Sequence, residues 1–465
     1  MIKFVEEKLE NRIIQYLLLA VITGLAAFLR FYKLGEWSFW YDEIFTLRDV
    51  SRIFELSLTN QQLSRWLIYG MTNLIGTTEF NARLVPALAG VLSVPILYFP
   101  TRKMFNAPTA LLLAVFLAIS PWHLYWSQNA RFYTTLLLFY TLGLFLVYFA
   151  FEEDKPWYLV FALLFFGLAV LERVFAAMLV PVVAAYLIGI RILPFEKPPG
   201  LHKRNILILL IPTLLIAFAG SYRFIENPEK WFEGFGWINN NPIWLLSGIV
   251  FYIGIPFICM GLVTAVYFLL NKDRGVLLLA LAATIPALLI IILSLVQYTA
   301  NRYVFISLTP WLILSAAGIW ELFKQNRGRS WVLVAGVLLI LMVFPMGENV
   351  LYYQYQNGNR DDWKGALELV NKLREPGDIV VVTEQRIGDY YLEGDLSYNF
   401  NYLDYDTLAE SNQRYWFVED NNLGEKEPEI LEWVKDNSEL ISTKDVAVRA
   451  RKFKMRIYLY DPAEQ

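Results

Sequence analysis

The sequence predicts a polytopic α-helical membrane protein of about eleven transmembrane helices, with a small α/β domain at its carboxyl end. Three observations lead there. The chain is 57% hydrophobic and 18% charged with a mean hydropathy of +0.42, outside the balance of a soluble globular protein. Apolar runs recur at lengths close to the roughly 20 helical residues that cross a hydrocarbon core. Beyond Gly347 the composition turns soluble and acidic.

Taken in order, the charged stretch Met1 to Arg12 precedes an apolar run from Ile13 to Leu29 with no small-residue cleavage site after it, so it reads as a retained first span at 13–30. Further spans are expected at 82–101, 108–124, 133–151, 157–172, 175–193, 205–222, 243–270, 276–297, 303–322 and 331–348. The fifth and sixth are short and meet at Glu172-Arg173. Lysine and arginine in short loops are retained in the cytoplasm. Lys3, Lys8 and Arg12 therefore put the amino end inside, with Arg102-Lys103, Arg191 to Arg204, Lys272 with Arg274, and Lys324 to Arg329 on that same side. The acidic pair Asp42-Glu43, the loop Asn129 to Arg131, the loop Tyr222 to Asn241 and Asn301-Arg302 are then expected outside, as is the carboxyl end. The expected location is the plasma (inner) membrane.

Residues 1–350 read as the membrane domain, with a long first outer loop at 31–81. There Leu47, Ile53, Phe54, Leu56 and Leu58 alternate with charged residues, as in helices lying along a membrane surface. In the fourth outer loop Trp231, Phe232, Phe235 and Trp237 stand beside Asn239-Asn240-Asn241, and aromatic girdling accounts for the rings. Residues 351–465 read as an extracytoplasmic α/β domain. A helix is expected from Asp361-Asp362-Trp363-Lys364 through Leu373, a turn at Pro376-Gly377-Asp378, and a buried strand at Ile379 to Thr383. Tyr415 to Val418, a helix around Ile430 to Lys435, and Arg456 to Tyr460 continue it.

Net charge of −3 and a pI near 5.7 give no basic footprint, so nucleic acid is excluded as a partner. The single cysteine, Cys259, excludes an intrachain disulfide and a thiol zinc site. With only His123 and His202, multi-histidine metal centres are out, and a base is expected to be a carboxylate.

Asp42 sits among Trp37, Phe39, Trp40 and Tyr41 just beyond the first span. Partial desolvation by those rings raises the proton affinity of a carboxylate and suits it to general-base work, whereas the plain alternative is a solvated interfacial acid paired with Arg30 or Lys33. Glu43 has three open roles: orienting Asp42, holding a divalent cation, or capping the following helix. Arg131 offers a planar two-point donor to a phosphate, or else snorkels and covers Trp126. Arg302, before Tyr303, is a second phosphate candidate. His123 reads chiefly as interfacial packing.

Asp42-Glu43 after the first span, Asn81-Ala82-Arg83-Leu84-Val85-Pro86-Ala87-Leu88-Ala89-Gly90 entering the second, Ser120-Pro121 through Arg131-Phe132-Tyr133, and Arg302-Tyr303 with Pro310 resemble the membrane glycosyltransferases of the GT-C fold. Within them the pattern is similar to the protein O-mannosyltransferase and aminoarabinose-transferase-like family, family 39. The resemblance implies a polyprenyl-phosphate-linked sugar donor from the bilayer and a protein, lipid or glycan acceptor from outside. It implies Asp42 as base with Glu43 beside it, Arg131, Arg302 and Tyr133 at the donor phosphate, and inversion at the anomeric carbon. Trp40, Tyr41, His123, Gln128, Asn129 and Tyr303 are the candidate donor and acceptor surface. No cofactor is firmly implied, and a divalent cation at Asp42 or Glu43 is left open. Two departures stand out: Asn60-Gln61-Gln62-Leu63-Ser64 replaces a His-Pro-Pro-Leu-Tyr segment of many relatives, and Asn129 stands where many have an acid. The rival classes are a transporter or flippase for lipid-linked saccharides, and a catalytically silent membrane subunit. A transporter should carry polar, helix-breaking sites near the midplane in repeated halves; here the polar residues gather at one face and no repeat is evident.

Overall fold

Helix follows apolar run through the membrane region of this computed structural model, which describes residues 11–56, 62–226, 241–325, 331–392, 396–403, 405–408, 413–420, 427–448 and 451–463. Asn60, Gln61, Trp231, Phe232, Phe235, Trp237, Asn239 and Asn240, singled out above, lie outside the described residues. The chain divides into two compact units. One comprises residues up to Tyr32, Leu56–Leu67 and Val85–Met346; the other comprises Lys33–Glu55, Ile68–Leu84 and Gly347–Gln465. Much of the first outer loop is thus packed with the carboxyl-terminal residues, where the sequence reading grouped all of 31–81 with the membrane domain.

In the membrane unit the helices are α1 (Arg12–Phe31), the start of α3, most of α4, α5 (Ala107–Ile119), α6 (Pro121–Ser127), α7 (Tyr133–Glu153), α8 (Pro156–Glu172), α9 (Leu179–Ile192), α10 (Lys203–Glu226), α11 (Pro242–Ile253), α12 (Ile255–Leu270), α13 (Arg274–Leu293), α14 (Leu308–Gln325) and most of α15 (Trp331–Gln354). Here α3 is Leu63–Ile75 and α4 is Glu79–Met104, and α2 (Tyr41–Ser51) belongs to the other unit. Among the described residues seven helical segments are long and apolar enough to cross a membrane, or nine if each of two bent pairs is one span. All eleven expected segments are helical, so the protein is a polytopic helical membrane protein. Three differ in form. The segment expected at 108–124 bends by 59° between α5 and α6, and the one at 243–270 bends by 88° between α11 and α12. Gly254 makes the second bend at φ +100°, a backbone state that glycine adopts without steric cost. At 17 residues α8 is about 26 Å long, short for a roughly 30 Å core.

Caps explain several helix starts. Asn106 accepts from Thr109 N (2.9 Å) ahead of Pro108, Ser120 precedes Pro121, and Asp273 accepts from Val276 N (2.9 Å). Helices α7 and α8 form a hairpin through Asp154-Lys155, with Asp154 left-handed at φ +51°. The start of α7 and the end of α8 therefore lie at one level.

In the second unit, α16 (Trp363–Leu373), β1 (Ile379–Val382), α17 (Gln385–Tyr391), β2 (Tyr398–Asn399), β3 (Tyr415–Glu419), α18 (Pro428–Asn437), β4 (Glu439–Val448) and β5 (Arg451–Tyr460) follow the expected order. The sheet runs β2-β1-β3-β5-β4, parallel among the first three strands and antiparallel thereafter. Val381, Phe417, Val434 and Tyr458 form its core on one side. Asp362 caps α16 by accepting from Gly365 N (3.1 Å) and pairs with Lys444 (2.9 Å).

Candidate active site

The acidic pair opens α2, where carboxylates complement the unpaired N–H groups of a helix start. Glu43 is completely buried. Its Oε1 accepts from Arg83 Nε and its Oε2 from Arg83 Nη2, both at 2.8 Å, and Arg360 Nη1 adds a bond to Oε2 at 3.0 Å. Arg83 is buried too, and its remaining N–H groups reach the carbonyls of Leu34 (3.1 Å), Trp37 (2.9 Å) and Ser38 (2.8 Å). Arg360 donates also to Ser38 O and Gly358 O, both at 3.2 Å. A planar fork meeting a carboxylate bidentately is the strong form of this interaction, and burial makes each partner depend on the other. Glu43 is thereby the keystone of the turn that presents Asp42.

Both Glu43 oxygens are occupied by guanidinium N–H groups, so this carboxylate does not fit a divalent cation. Among the described residues no group of three His, Cys, Asp or Glu side chains is placed to hold one. Asp42 is half-buried, and its backbone carbonyl accepts from Thr46 Oγ1 (3.1 Å). Trp40 is half-buried as well and Tyr41 is exposed. Successive helical residues diverge by about 100°, which separates the direction of Asp42 from that of buried Glu43.

Around this turn Lys364 N donates to Ser38 Oγ (2.9 Å), and Phe39 N donates to Tyr391 Oη (2.6 Å), which in turn donates to Glu79 (3.1 Å). Burial, and then the charge of Glu79, push the Tyr391 phenol well above its ordinary range, so it stays a neutral donor. Tyr390, against the Phe39 ring, is pushed up to about 12 mainly by burial.

In the membrane unit the segment Gln128 to Phe132 is held by reciprocal capping. Gln128 Nε2 lies within reach of the carbonyls of Leu29 (3.4 Å), Arg30 (3.1 Å) and Tyr32 (2.8 Å) at the end of α1. Arg30 does the same for α5, donating to Leu117 O (2.9 Å) and Ala118 O (2.6 Å) at the 59° bend. Backbone carbonyls freed inside a bilayer need such internal partners. His123 is set between Arg30 (2.9 Å) and Ser93 (3.2 Å). At Gly90 a Cβ would fall 2.2 Å from Ser127 Oγ, so glycine there lets α4 approach α6. Asn129 donates to Tyr125 O, and its own carbonyl accepts from Arg131 N (2.6 Å). Gln128 and Asn129 were candidates for a substrate-facing surface, and His123 read chiefly as packing. All three are fully buried, because the bend and the helix ends engage their hydrogen-bonding groups.

Past this clamp lies a row of rings edged by arginines. Arg131 stands 5.3 Å from the Phe132 centroid; Phe132 meets Phe175 at 6.4 Å, Phe175 meets Tyr303 at 5.3 Å, and Arg302 stands 5.7 Å from Tyr303. The row joins the two predicted phosphate ligands, which are 171 positions apart by their numbers, Arg131 and Arg302. It also adds Arg173, 5.7 Å from the Phe132 ring, which sequence reasoning passed over although Glu172-Arg173 marked a span boundary. Tyr133 packs inside against Trp126 (3.9 Å) and is buried rather than rimming the row. Glu172 is buried and accepts from Ser64 N (3.1 Å) and Ser64 Oγ (2.7 Å), while its carbonyl takes Gln62 Nε2 (2.7 Å). Residues of the atypical 60–64 segment thus pin the end of α8. Asp42 and Glu43 belong to one unit, Arg131, Arg173 and Arg302 to the other.

The fold is similar to that of ArnT from Cupriavidus metallidurans in the apo state, with 15% identity, a TM-score of 0.61, and 96% of this chain and 98% of that one covered. This chain has the GT-C fold. The GT-C likeness extends to ArnT bound to undecaprenyl phosphate, at 14% identity, TM-score 0.58 and coverage of 94% and 97%. It extends also to the oligosaccharyltransferase AglB from Archaeoglobus fulgidus in complex with an inhibitory peptide and a dolichol-phosphate, at 14% identity, TM-score 0.57 and coverage of 90% of this chain and 71% of that one. Residues 62–219 of this GT-C protein match the family of dolichyl-phosphate-mannose-protein mannosyltransferases. That stretch holds Arg83, Arg131, Glu172 and Arg173. Among curated proteins no sequence matches.

Proposed function

We propose that this protein is an integral-membrane glycosyltransferase that moves a sugar from a polyprenyl-phosphate donor to an acceptor on the extracytoplasmic face. The observation that carries the reading is the row of rings edged by Arg131, Arg173 and Arg302 in a GT-C membrane unit, a surface suited to an anion carried by an apolar chain. Solved neighbours with undecaprenyl phosphate or dolichol-phosphate bound support that donor class. An acceptor hydroxyl or amine attacks the anomeric carbon as its proton passes to Asp42. The carbon–oxygen bond to phosphate breaks with its electron pair, the lipid phosphate departs, and the configuration inverts. Arginines on the row stabilise the charge that gathers on the leaving phosphate.

The test is release of free polyprenyl phosphate by the purified protein given a panel of polyprenyl-phosphate sugars and acceptors. Movement of intact donor across a vesicle without release would make it a transporter instead. Within the same assay, Arg131→Lys is expected to be clearly impaired and Arg131→Ala worse, since lysine keeps charge but loses the planar fork. Parent rates in both would leave Arg131 an interfacial anchor and Arg302 the better phosphate ligand.

Orientation is tested by thiol labelling in a Cys259→Ser background. Leu396→Cys, exposed in the carboxyl-terminal unit, is expected to react with an impermeant maleimide in intact cells, and Lys197→Cys only after lysis. The reverse pattern would invert the topology.

A further inference from the structure

We propose that the cavity at the α12–α13 turn binds the phosphate of an anionic phospholipid, with Lys272 as its cation and the acyl chains laid along the apolar stripe of α12. The cavity is open, has a volume of about 840 Å³, and is walled by α7, α12, α13 and α14 through residues that include Tyr148, Tyr267, Lys272, Arg274 and Glu321. Glu321 lies near the end of α14 and Arg302 ahead of its start, so roughly 20 Å of helix separates this cavity from the row of rings. It is a second site, at the other end of the spans.

The cavity offers donors while its acceptors are engaged. Arg274 holds Glu152 with Nε (2.8 Å) and Nη2 (2.6 Å) and directs Nη1 to Glu196 O (2.9 Å). Asp273 caps α13 by accepting from Val276 N (2.9 Å), and Glu321 accepts from Lys324 (2.5 Å) and Gln325 Nε2 (3.2 Å). Tyr267 Oη accepts from Gln325 Nε2 (2.7 Å), which leaves its own proton to donate. Lys272 is exposed and has no ion pair among the described residues. The Tyr148 hydroxyl makes no hydrogen bond among them either; it stands 3.2 Å from where a Cβ on Gly275 would fall, over the first turn of α13. Tyr186 on α9 is completely buried, its hydroxyl has no hydrogen-bond partner, and it interacts electrostatically with Tyr148, Glu152, Asp273 and Arg274. Unmatched donors around one uncompensated cation suit a ligand that carries negative charge and is rich in acceptors, as a phosphate diester is.

The backbone fixes Lys272 at this place. Lys272 N donates to Leu269 O and Asp273 N to Phe268 O, both at 3.0 Å, the paired bonds that close a helix through a left-handed residue. That residue is most often glycine, yet here it is Lys272 at φ +61°. A long side chain kept in a backbone state that disfavours it points to a use for that side chain. Along α12, Leu262, Val266 and Leu270 are exposed at four-residue spacing with Val263 and Tyr267 beside them, so one apolar stripe runs up to the cavity. A lipid whose chains follow that stripe brings its phosphate to Lys272, and the Tyr267 ring stands at headgroup level, where aromatic side chains gather.

The shared chemistry is a phosphate, which a phospholipid or a soluble anion could supply, and the experiment separates them. The full-length protein, stripped of lipid in detergent, is titrated with phosphatidylglycerol, with phosphatidylcholine of the same acyl chains, and with inorganic phosphate; bound lipid is counted by native mass spectrometry. The parent is expected to retain one phosphatidylglycerol at concentrations too low for phosphatidylcholine, with millimolar inorganic phosphate a poor competitor. Lys272→Gly removes the cation and suits the left-handed turn. It should melt at or above the parent without lipid, while its affinity for phosphatidylglycerol falls about fivefold or more. Lys272→Arg should keep most of the affinity, and Tyr148→Phe, which removes only a hydroxyl, should lose less than Lys272→Gly. Should glycine loosen the turn, Lys272→Asn, which also tolerates that backbone, takes its place. Parent affinity in the glycine and asparagine variants overturns the inference, as does equal retention of phosphatidylcholine by the parent. Displacement of the lipid by millimolar inorganic phosphate overturns the lipid assignment and makes the cavity a soluble-anion site.

Discussion

Glu43→Ala is expected to destabilise the protein by about 3–5 kcal/mol, because it leaves the buried guanidinium groups of Arg83 and Arg360 without their counter-charge. Glu43→Gln keeps the shape of the side chain but removes its charge, so it should fall between the parent and alanine. Arg360→Ala should be milder than Arg83→Ala, since Arg83 makes the bidentate contact and caps three carbonyls while Arg360 contributes a single bond to the carboxylate. Thermal melting of the purified variants, read beside turnover, checks the order. If Glu43→Gln melts like the parent and yet loses all turnover, Glu43 acts in the chemistry and is not the keystone of the turn.

Asp42→Asn is expected to do the opposite, leaving melting close to the parent while turnover of the lipid-linked donor falls by about two orders of magnitude or more. Within this single turn Glu43 has both oxygens engaged by arginines, whereas Asp42 is half-buried at the start of the same helix. Asparagine keeps the size of the side chain but cannot take the proton of an attacking hydroxyl or amine. Near-parent release of polyprenyl phosphate by Asp42→Asn would remove Asp42 from the mechanism.

The two predictions differ because two adjacent acids, indistinguishable by type, have different surroundings. Nothing local to Asp42-Glu43 distinguishes them. Arg83 stood inside a stretch already associated with a known fold, but its partner lay 40 positions away; Arg360 lay 317 positions from Glu43 in what read as a separate domain. Contacts of such separation leave no periodic trace in a sequence. Arg173 was missed for a related reason: beside Glu172 it reads as a charged pair marking a boundary, until the α7–α8 hairpin sets it against Phe132. Gln128 and Asn129 are buried rather than at a surface, and the sequence did not show it because a polar residue near a span end looks alike whether it faces water or caps a helix in the interior.

What the sequence determined by itself was whatever hydrophobic periodicity and composition control: the helical segments, the carboxyl-terminal α/β region, and the segments Ile379 to Thr383, Tyr415 to Val418 and Arg456 to Tyr460, which fall in its strands. These follow from local burial and from the need of backbone groups in a bilayer to pair within their own helix. What only the tertiary structure decided was how each span is shaped and what each charge does. The 59° and 88° bends, the hold of two arginines on Glu43, and the arginines gathered on the Phe132–Phe175–Tyr303 row depend on which distant residue reaches a freed carbonyl, a buried carboxylate or a ring face. A charge buried in a medium of low dielectric is stable only with its partner in place, and the partner is chosen by the packing of the whole chain.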